Sequence, residues 1–175
     1  MGSCKKLELL EQLIKQVIEC PCTCSCGCDS QALTVLDVAE KEIGVEEIPR
    51  GSNDGERVRE YLRSANITVP APWCAAFVVW CQKQAGLSPV ITAHVATMWD
   101  RNKDKQKSTP QPGDVFVMLK GQSGHCGFVK RVEGDKIFTI EGNTNDSGER
   151  EGYEVCERER LVSSCRGFLR FPLSA

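Results

Sequence analysis

The chain has 175 residues, of which 26% are charged and 41% hydrophobic, and its formal net charge is -2. That length supports one domain of roughly 100–150 residues plus a short extension. The near balance of charge excludes the strongly basic footprint of a nucleic-acid binder. No apolar run approaches the roughly 20 residues needed to span a bilayer.

At the N-terminus, no basic stretch followed by an apolar run marks a secretion signal. The expectation is synthesis in the cytoplasm, with any action on an outside target needing release or delivery. Residues 5–19 read as an amphipathic helix, with Leu7, Leu10, Ile14 and Val17 at heptad-like spacing. An isolated helix of that length seldom persists in water, so it should dock or self-associate. Cys20, Cys22, Cys24, Cys26 and Cys28 then alternate along a compositional break. They have three readings: thiolate ligands for a soft metal, cross-links between subunits, or a tail with no fixed role. One-residue spacing is unlike the paired ligands of zinc sites, which favours a tail or oligomerisation segment. Met1-Gly2-Ser3-Cys4 is similar to an acylation signal, but Lys6 departs from the usual Ser or Thr. Residues 1–28 therefore form an expected extension and residues 29–175 the expected globular domain.

Helices are predicted over 31–43 (capped by Asp29 or Ser30 and stopped by Gly44), 56–65, 73–85 and 93–101. Gly44–Gly55 reads as a loop, and Pro70-Ala71-Pro72 breaks the chain before the third helix. After Pro110 the pattern changes to strands over 114–119, 125–132, 136–141, 153–158 and 167–171, with a turn at Gly134-Asp135. Helices followed by an antiparallel sheet make an α+β fold. The cysteine count of 11 is odd, so full intramolecular pairing is impossible. Cys81, Cys126, Cys156 and Cys165 stand where small hydrophobes would fit, which suggests buried thiols in a reducing compartment.

The chemistry centres on Pro72-Trp73-Cys74-Ala75-Ala76-Phe77. Pro72 suits the first position of a helix. Cys74 then lies in the first turn, near the positive end of the helix dipole, which favours the nucleophilic thiolate. Cys81, two turns further in, gains little from the dipole and reads as core. A cysteine nucleophile needs a base in hydrogen-bond reach, and the base needs an orienting group. Of the two histidines, His94 stands near a helix start and reads as a cap or surface residue. His125 lies on a strand flanked by Gly124 and Gly127 and is the better base. Glu141 and Asn143, two apart on the next strand, share a face, and either could orient the imidazole.

Register adds a constraint. A two-residue loop at Gly134-Asp135 would pair Phe128 with Glu141 and leave Glu141 on the face opposite His125. A three-residue loop, or a bulge, would set Glu141 opposite Val129 and Asn143 opposite Gly127, on the His125 face. Catalysis by these residues requires the second arrangement.

These residues resemble the CHAP amidohydrolase/peptidases, relatives of the NlpC-type peptidases with a papain-like fold. The likeness runs from about Ala32 to Phe171. Its landmarks are Glu47-Ile48-Pro49, Pro72-Trp73-Cys74-Ala75-Ala76-Phe77-Val78, Pro112-Gly113-Asp114-Val115, Gly124-His125-Cys126-Gly127-Phe128-Val129 and Glu141-Gly142-Asn143. The resemblance implies a papain-like α+β domain with helices packed on an antiparallel sheet. It also implies Cys74 as nucleophile, His125 as base, Glu141 as its orienter and Asn143 as a member of the same network. The implied substrate is bacterial peptidoglycan, cut at the muramoyl-L-alanine amide or within its peptides by a phage lysin or a bacterial lytic enzyme, without a cofactor. Trp73 is a candidate groove wall, with a core role as its alternative. The loop Glu46–Asp54 has the character of a substrate rim. Alternation should turn the Cys126 thiol away from the site. Competing readings are a cysteine amidase or protease on a non-wall substrate, and a wall-binding module that has lost catalysis.

Overall fold

The computed structural model describes residues 34–121, 123–145 and 152–171. The expected helix at 5–19, the alternating cysteines and the caps Asp29 and Ser30 lie outside the described residues.

Four α-helices precede most of the sheet: α1 (Val35–Lys41), α2 (Glu56–Ser64), α3 (Cys74–Gln84) and α4 (Val95–Arg101). The cap of α1 is Thr34. Its hydroxyl accepts from the Asp37 N–H while the Asp37 carboxylate accepts from the Thr34 N–H at 2.8 Å, a reciprocal capping box. Six strands follow, β1 (Gln106–Lys107), β2 (Val115–Lys120), β3 (Ser123–Glu133), β4 (Lys136–Thr144), β5 (Glu154–Leu161) and β6 (Gly167–Leu169). They form one antiparallel sheet in the order β1-β6-β2-β3-β4-β5. This is the expected α+β, papain-like arrangement. Among the strands, the short edge strand β1 has no counterpart in the prediction; two residues carry no alternation to read.

The sheet buries side chains on both faces. Helix α3 lies against β3 and β4, with α1 and α2 packed on α3 and α4 against β2 and β3. Eight of the eleven α3 residues are buried, so this helix shows no polar stripe and runs through the centre of the core. Tyr61 of α2 stacks on Trp73 at 5.5 Å and meets Phe77 edge-on at 5.4 Å. On the far face, Phe116, Val129, Ile137 and Phe168 form a smaller cluster. It lies beneath the strand positions that carry His125 and Glu141.

The β3–β4 hairpin has the two-residue loop, with Glu133 opposite Lys136, and also a bulge. The register shifts between Val129 and Arg131, so Lys130 is the extra residue on β3. Beyond it, Val129 faces Thr139 and Phe128 faces Ile140. The next step brings Glu141 beside Gly127, where a built Cβ would stand 3.1 Å from the Glu141 Cγ. Glu141 thus reaches the His125 face by a bulge, one of the two arrangements expected. It does so opposite Gly127 and not Val129, because the inserted residue lies on β3 rather than on β4 or in the loop.

Candidate active site

Cys74 is the first residue of α3, with Trp73 as cap. Pro72 therefore stands one residue before the cap and not at the first helical position expected of it. The difference follows from Trp73, whose backbone is non-helical (φ -121°, ψ 10°) and whose N–H donates to the Asn143 Oδ1 at 2.9 Å. The Cys74 thiol sits in the first turn, where the unpaired N–H groups and the dipole favour negative charge.

The start of α3 meets β3 at His125 and Cys126. The Cys74 sulfur stands against Cys126 and His125, the two residues that act most on its charge. The Cys126 hydrogen bond, followed by the bond and charge of His125, outweighs burial and holds the Cys74 thiol well below its ordinary range. Cys126 is pushed well above its own range by its bond to Cys74 and by burial, so it remains a thiol and donates. Cys126 does point away from the His125 face, but onto the opposite face where α3 packs, so its thiol meets Cys74 after all.

His125 uses its other nitrogen for Glu141. The Nε2–H donates to the Glu141 Oε2 at 2.8 Å. Burial pulls the imidazole pKa down, but bonds to Cys74 and Glu141 and their charges raise it to about 10. Cys74 and His125 are thus held as a thiolate–imidazolium pair. Glu141 has no exposed surface. Burial pushes its carboxyl up, yet Arg160 and His125 together bring it down to about 2. Arg160 donates from Nε to Oε1 at 2.9 Å and from Nη2 to Oε2 at 2.6 Å, and the Thr139 hydroxyl donates to Oε1 at 2.6 Å.

Asn143 is drawn elsewhere. Besides accepting from Trp73, its amide donates to the Gly152 carbonyl at 2.7 Å and lies 3.4 Å from the Glu47 Oε1. No hydrogen bond joins it to His125. A register shift between Glu141 and Thr144 against β5 sets Asn143 in the left-handed region (φ 56°), which Asn tolerates better than most residues. Its expected place in the imidazole network is therefore corrected to the base of the helix that starts at Cys74. Trp73 is fully buried, and its indole N–H donates to the Glu47 Oε1 at 2.8 Å. It belongs to the core and does not wall the groove. His94 caps α4, its Nδ1 accepting from the Thr97 N–H. Cys81 is buried, and burial drives its thiol well above the ordinary range.

A cleft of about 700 Å³ opens over Cys74 and His125, with Glu47, Asn53, Asn143 and Lys120 in its walls. Glu47 reaches it because the 44–47 backbone pairs with the start of β5 (Glu47 N–H to the Tyr153 carbonyl, 2.8 Å). The loop expected as a substrate rim does line the cleft. A second lobe of about 610 Å³ shares Pro72, Cys74, Ser123 and Gly124 and is walled by Ile67, Ala71, Ile91, Ala93 and Val95. Beyond the shared Cys74, the second lobe has no ionisable wall residue but His94, whereas the first carries Glu47, Lys120 and His125.

Residues 66–143 match the CHAP domain. The CHAP match starts at the turn after α2 and ends at Asn143, so it contains Cys74, His125 and Glu141. Glu47 lies before it and Arg160 after it. The CHAP domain suggests peptidoglycan hydrolase activity of amidase or peptidase type, and such domains are generally cysteine- and histidine-dependent amidohydrolases. No curated protein and no solved structure matches the chain significantly. Among the described residues no group of His, Cys, Asp and Glu is arranged to hold a metal, and no helix is long and apolar enough to cross a membrane.

Three residues of the site escaped the sequence reading: Arg160, Thr139 and Glu47 as a buried polar anchor. Strand alternation sets Arg158 and Arg160 on one face of β5, but which carboxylate they meet depends on a pairing across 19 residues.

Proposed function

We propose that the protein is a peptidoglycan hydrolase, an N-acetylmuramoyl-L-alanine amidase or a peptidoglycan endopeptidase, working as a phage lysin or a bacterial lytic enzyme. The observation that carries this reading is Cys74 beside a His125 that is hydrogen-bonded to Glu141, in an open cleft within a CHAP domain.

The chemistry follows from the charge states. The Cys74 thiolate attacks the scissile carbonyl carbon, and the carbonyl oxygen takes up the negative charge. Backbone N–H groups of the first α3 turn are suited to receive that oxyanion. His125 already carries its proton and gives it to the leaving amine, which leaves a thioacyl-enzyme and a neutral imidazole. The imidazole then takes a proton from water, the hydroxide attacks the thioester, and the carboxylic product leaves as Cys74 returns to thiolate. Glu141 holds the ring so that the other nitrogen faces the sulfur. The two lobes on either side of Cys74 give room for chain on both sides of the scissile bond.

The test compares clearing of purified wall suspensions with hydrolysis of casein, for wild type and Cys74→Ser. Wall clearing by wild type alone, without casein hydrolysis, supports the reading. Casein hydrolysis without wall clearing replaces it with a protein-directed amidase.

A further inference from the structure

Glu141 is buried on the His125 face of the sheet and has all its strong acceptor positions filled. Its four donors are the His125 Nε2–H, two N–H groups of Arg160 and the Thr139 hydroxyl. Arg160 is opposite Ile137 on β4, so its side chain runs along the strand past Thr139 to reach Glu141. The contact is a bidentate fork on both carboxylate oxygens, a geometry that only guanidinium provides. It fixes the carboxylate plane as well as its charge. Among the described residues no other Lys or Arg is paired with Glu141.

We propose that Arg160 is a positioning residue of the catalytic site, holding Glu141 ionised and aimed at His125 so that the Cys74–His125 pair stays charged in acid.

The argument rests on what a buried carboxylate does alone. Removed from water and without a counter-charge, it takes up a proton. A protonated Glu141 has no net charge with which to hold the imidazolium, and its added proton competes for the oxygen that accepts from Nε2. The Cys74 thiolate then loses its partner through His125. The other titratable groups near Glu141 cannot replace Arg160. Cys165, in the turn after β5, and Cys126, on β3, are thiols pushed upward, hence neutral. Cys156, its opposite residue on β5, adds no positive charge. Arg160 remains cationic, with its own pKa raised by Glu141. Glu141 and Arg160 together are neutral, so His125 senses a carboxylate whose field is partly cancelled. That keeps the imidazole able to give up its proton to a leaving amine.

This inference rests on the catalytic reading of Cys74, His125 and Glu141, but its test needs no substrate. The rate of Cys74 alkylation by iodoacetamide is measured against pH, by peptide mass spectrometry, in wild type, Arg160→Met, Arg160→Lys and Glu141→Gln. In Arg160→Met the acid limb of the profile moves up by about one pH unit or more. In Arg160→Lys, which keeps charge but loses the fork, the limb lies between the two. In the Arg160→Met/Glu141→Gln double variant the limb stays where Glu141→Gln alone puts it, because Arg160 acts only through Glu141. Circular dichroism and thermal midpoints select variants that remain folded. The proposal is overturned if the Arg160→Met and Arg160→Lys profiles superimpose on wild type, or if Arg160→Met shifts the profile equally in the Glu141→Gln background. If the profiles move as expected and no wall is cleaved, the positioning role stands and the peptidoglycan assignment falls.

Discussion

The Asn143 side chain accepts a hydrogen bond from the backbone N–H of Trp73 at 2.9 Å, which ties the end of β4 to the residue that caps α3 ahead of Cys74. The same amide donates to the Gly152 carbonyl just before β5. One side chain thereby registers α3, β4 and β5 beside Cys74. Asn143→Ala should lower kcat by about ten- to a hundred-fold, because a small misplacement of a nucleophile is costly. The alkylation rate of Cys74 at neutral pH should change far less, since the His125 and Cys126 contacts remain. Comparing turnover with alkylation in this variant checks the distinction. Equal loss of both would place Asn143 in the imidazole network instead.

Cys126 stands against the Cys74 sulfur and is the largest influence lowering its pKa. Cys126→Ala should therefore raise the pH at which Cys74 becomes reactive to iodoacetamide. It leaves His125 and Glu141 in place, so the acid limb rises without abolishing alkylation at alkaline pH. An unchanged limb would assign the thiolate to the helix start and His125 alone.

The alkaline side is set by His125. Its pKa is raised to about 10, so the imidazolium proton is present through neutral pH and is lost as pH rises through that value. Activity should hold across neutral pH and fall on approach to about pH 10. The same ionisation contributes to stability in the same direction: the raised pKa stabilises the fold below the ordinary histidine value and the gain is lost as pH climbs. Glu141 has the opposite sign. Its depressed pKa contributes stability above the ordinary carboxylate value, and that is lost as pH falls toward about 2. Thermal midpoints of wild type and Glu141→Gln across pH should converge at the acid end.

Gly127 leaves space for the carboxylate. A Cβ there would stand 2.6 Å from the Ile140 carbonyl and 2.9 Å from the Phe116 ring. Gly127→Ala should cost about 1–3 kcal/mol of stability by overpacking. It should also reduce kcat, because the added Cβ crowds the Glu141 Cγ as well, at 3.1 Å. Denaturant unfolding together with turnover reads both effects.

Asp114, one of the landmarks that suggested the family, has a structural duty. It is buried, forks onto Arg170 at 2.9 and 2.8 Å and accepts from the Gln111 N–H. Asp114→Asn should lower stability by about 1–3 kcal/mol and leave kcat of the folded fraction unchanged. A large fall in kcat at full foldedness would contradict this.

Cys74, His125 and Glu141 were legible in the sequence because each stands next to a strong local signal: a proline-started apolar helix, flanking glycines, and period-two alternation beside a turn. The five longer strands were legible for the same reason, but the return of β6 to the side of β2 was not. The Lys130 bulge was not, since nothing in Val129-Lys130-Arg131 marks where an extra residue falls; only the catalytic requirement pointed to a bulge. Asn143 was misread because strand alternation was extended through a residue that adopts left-handed geometry. Arg160, Thr139 and Glu47 depend on side chains meeting across sheet and loop pairings distant in sequence. Trp73 looked like a groove wall beside Cys74, yet the helix start turns it inward onto Tyr61 and Glu47.

The most direct test of the central claim is mass spectrometry of fragments released from purified peptidoglycan by wild type and by Cys74→Ala. The account predicts new amino termini or freed stem peptides with wild type alone, and their masses would name the bond. Identical fragment profiles for the two proteins, or no fragments from walls of several peptide chemistries, would contradict it.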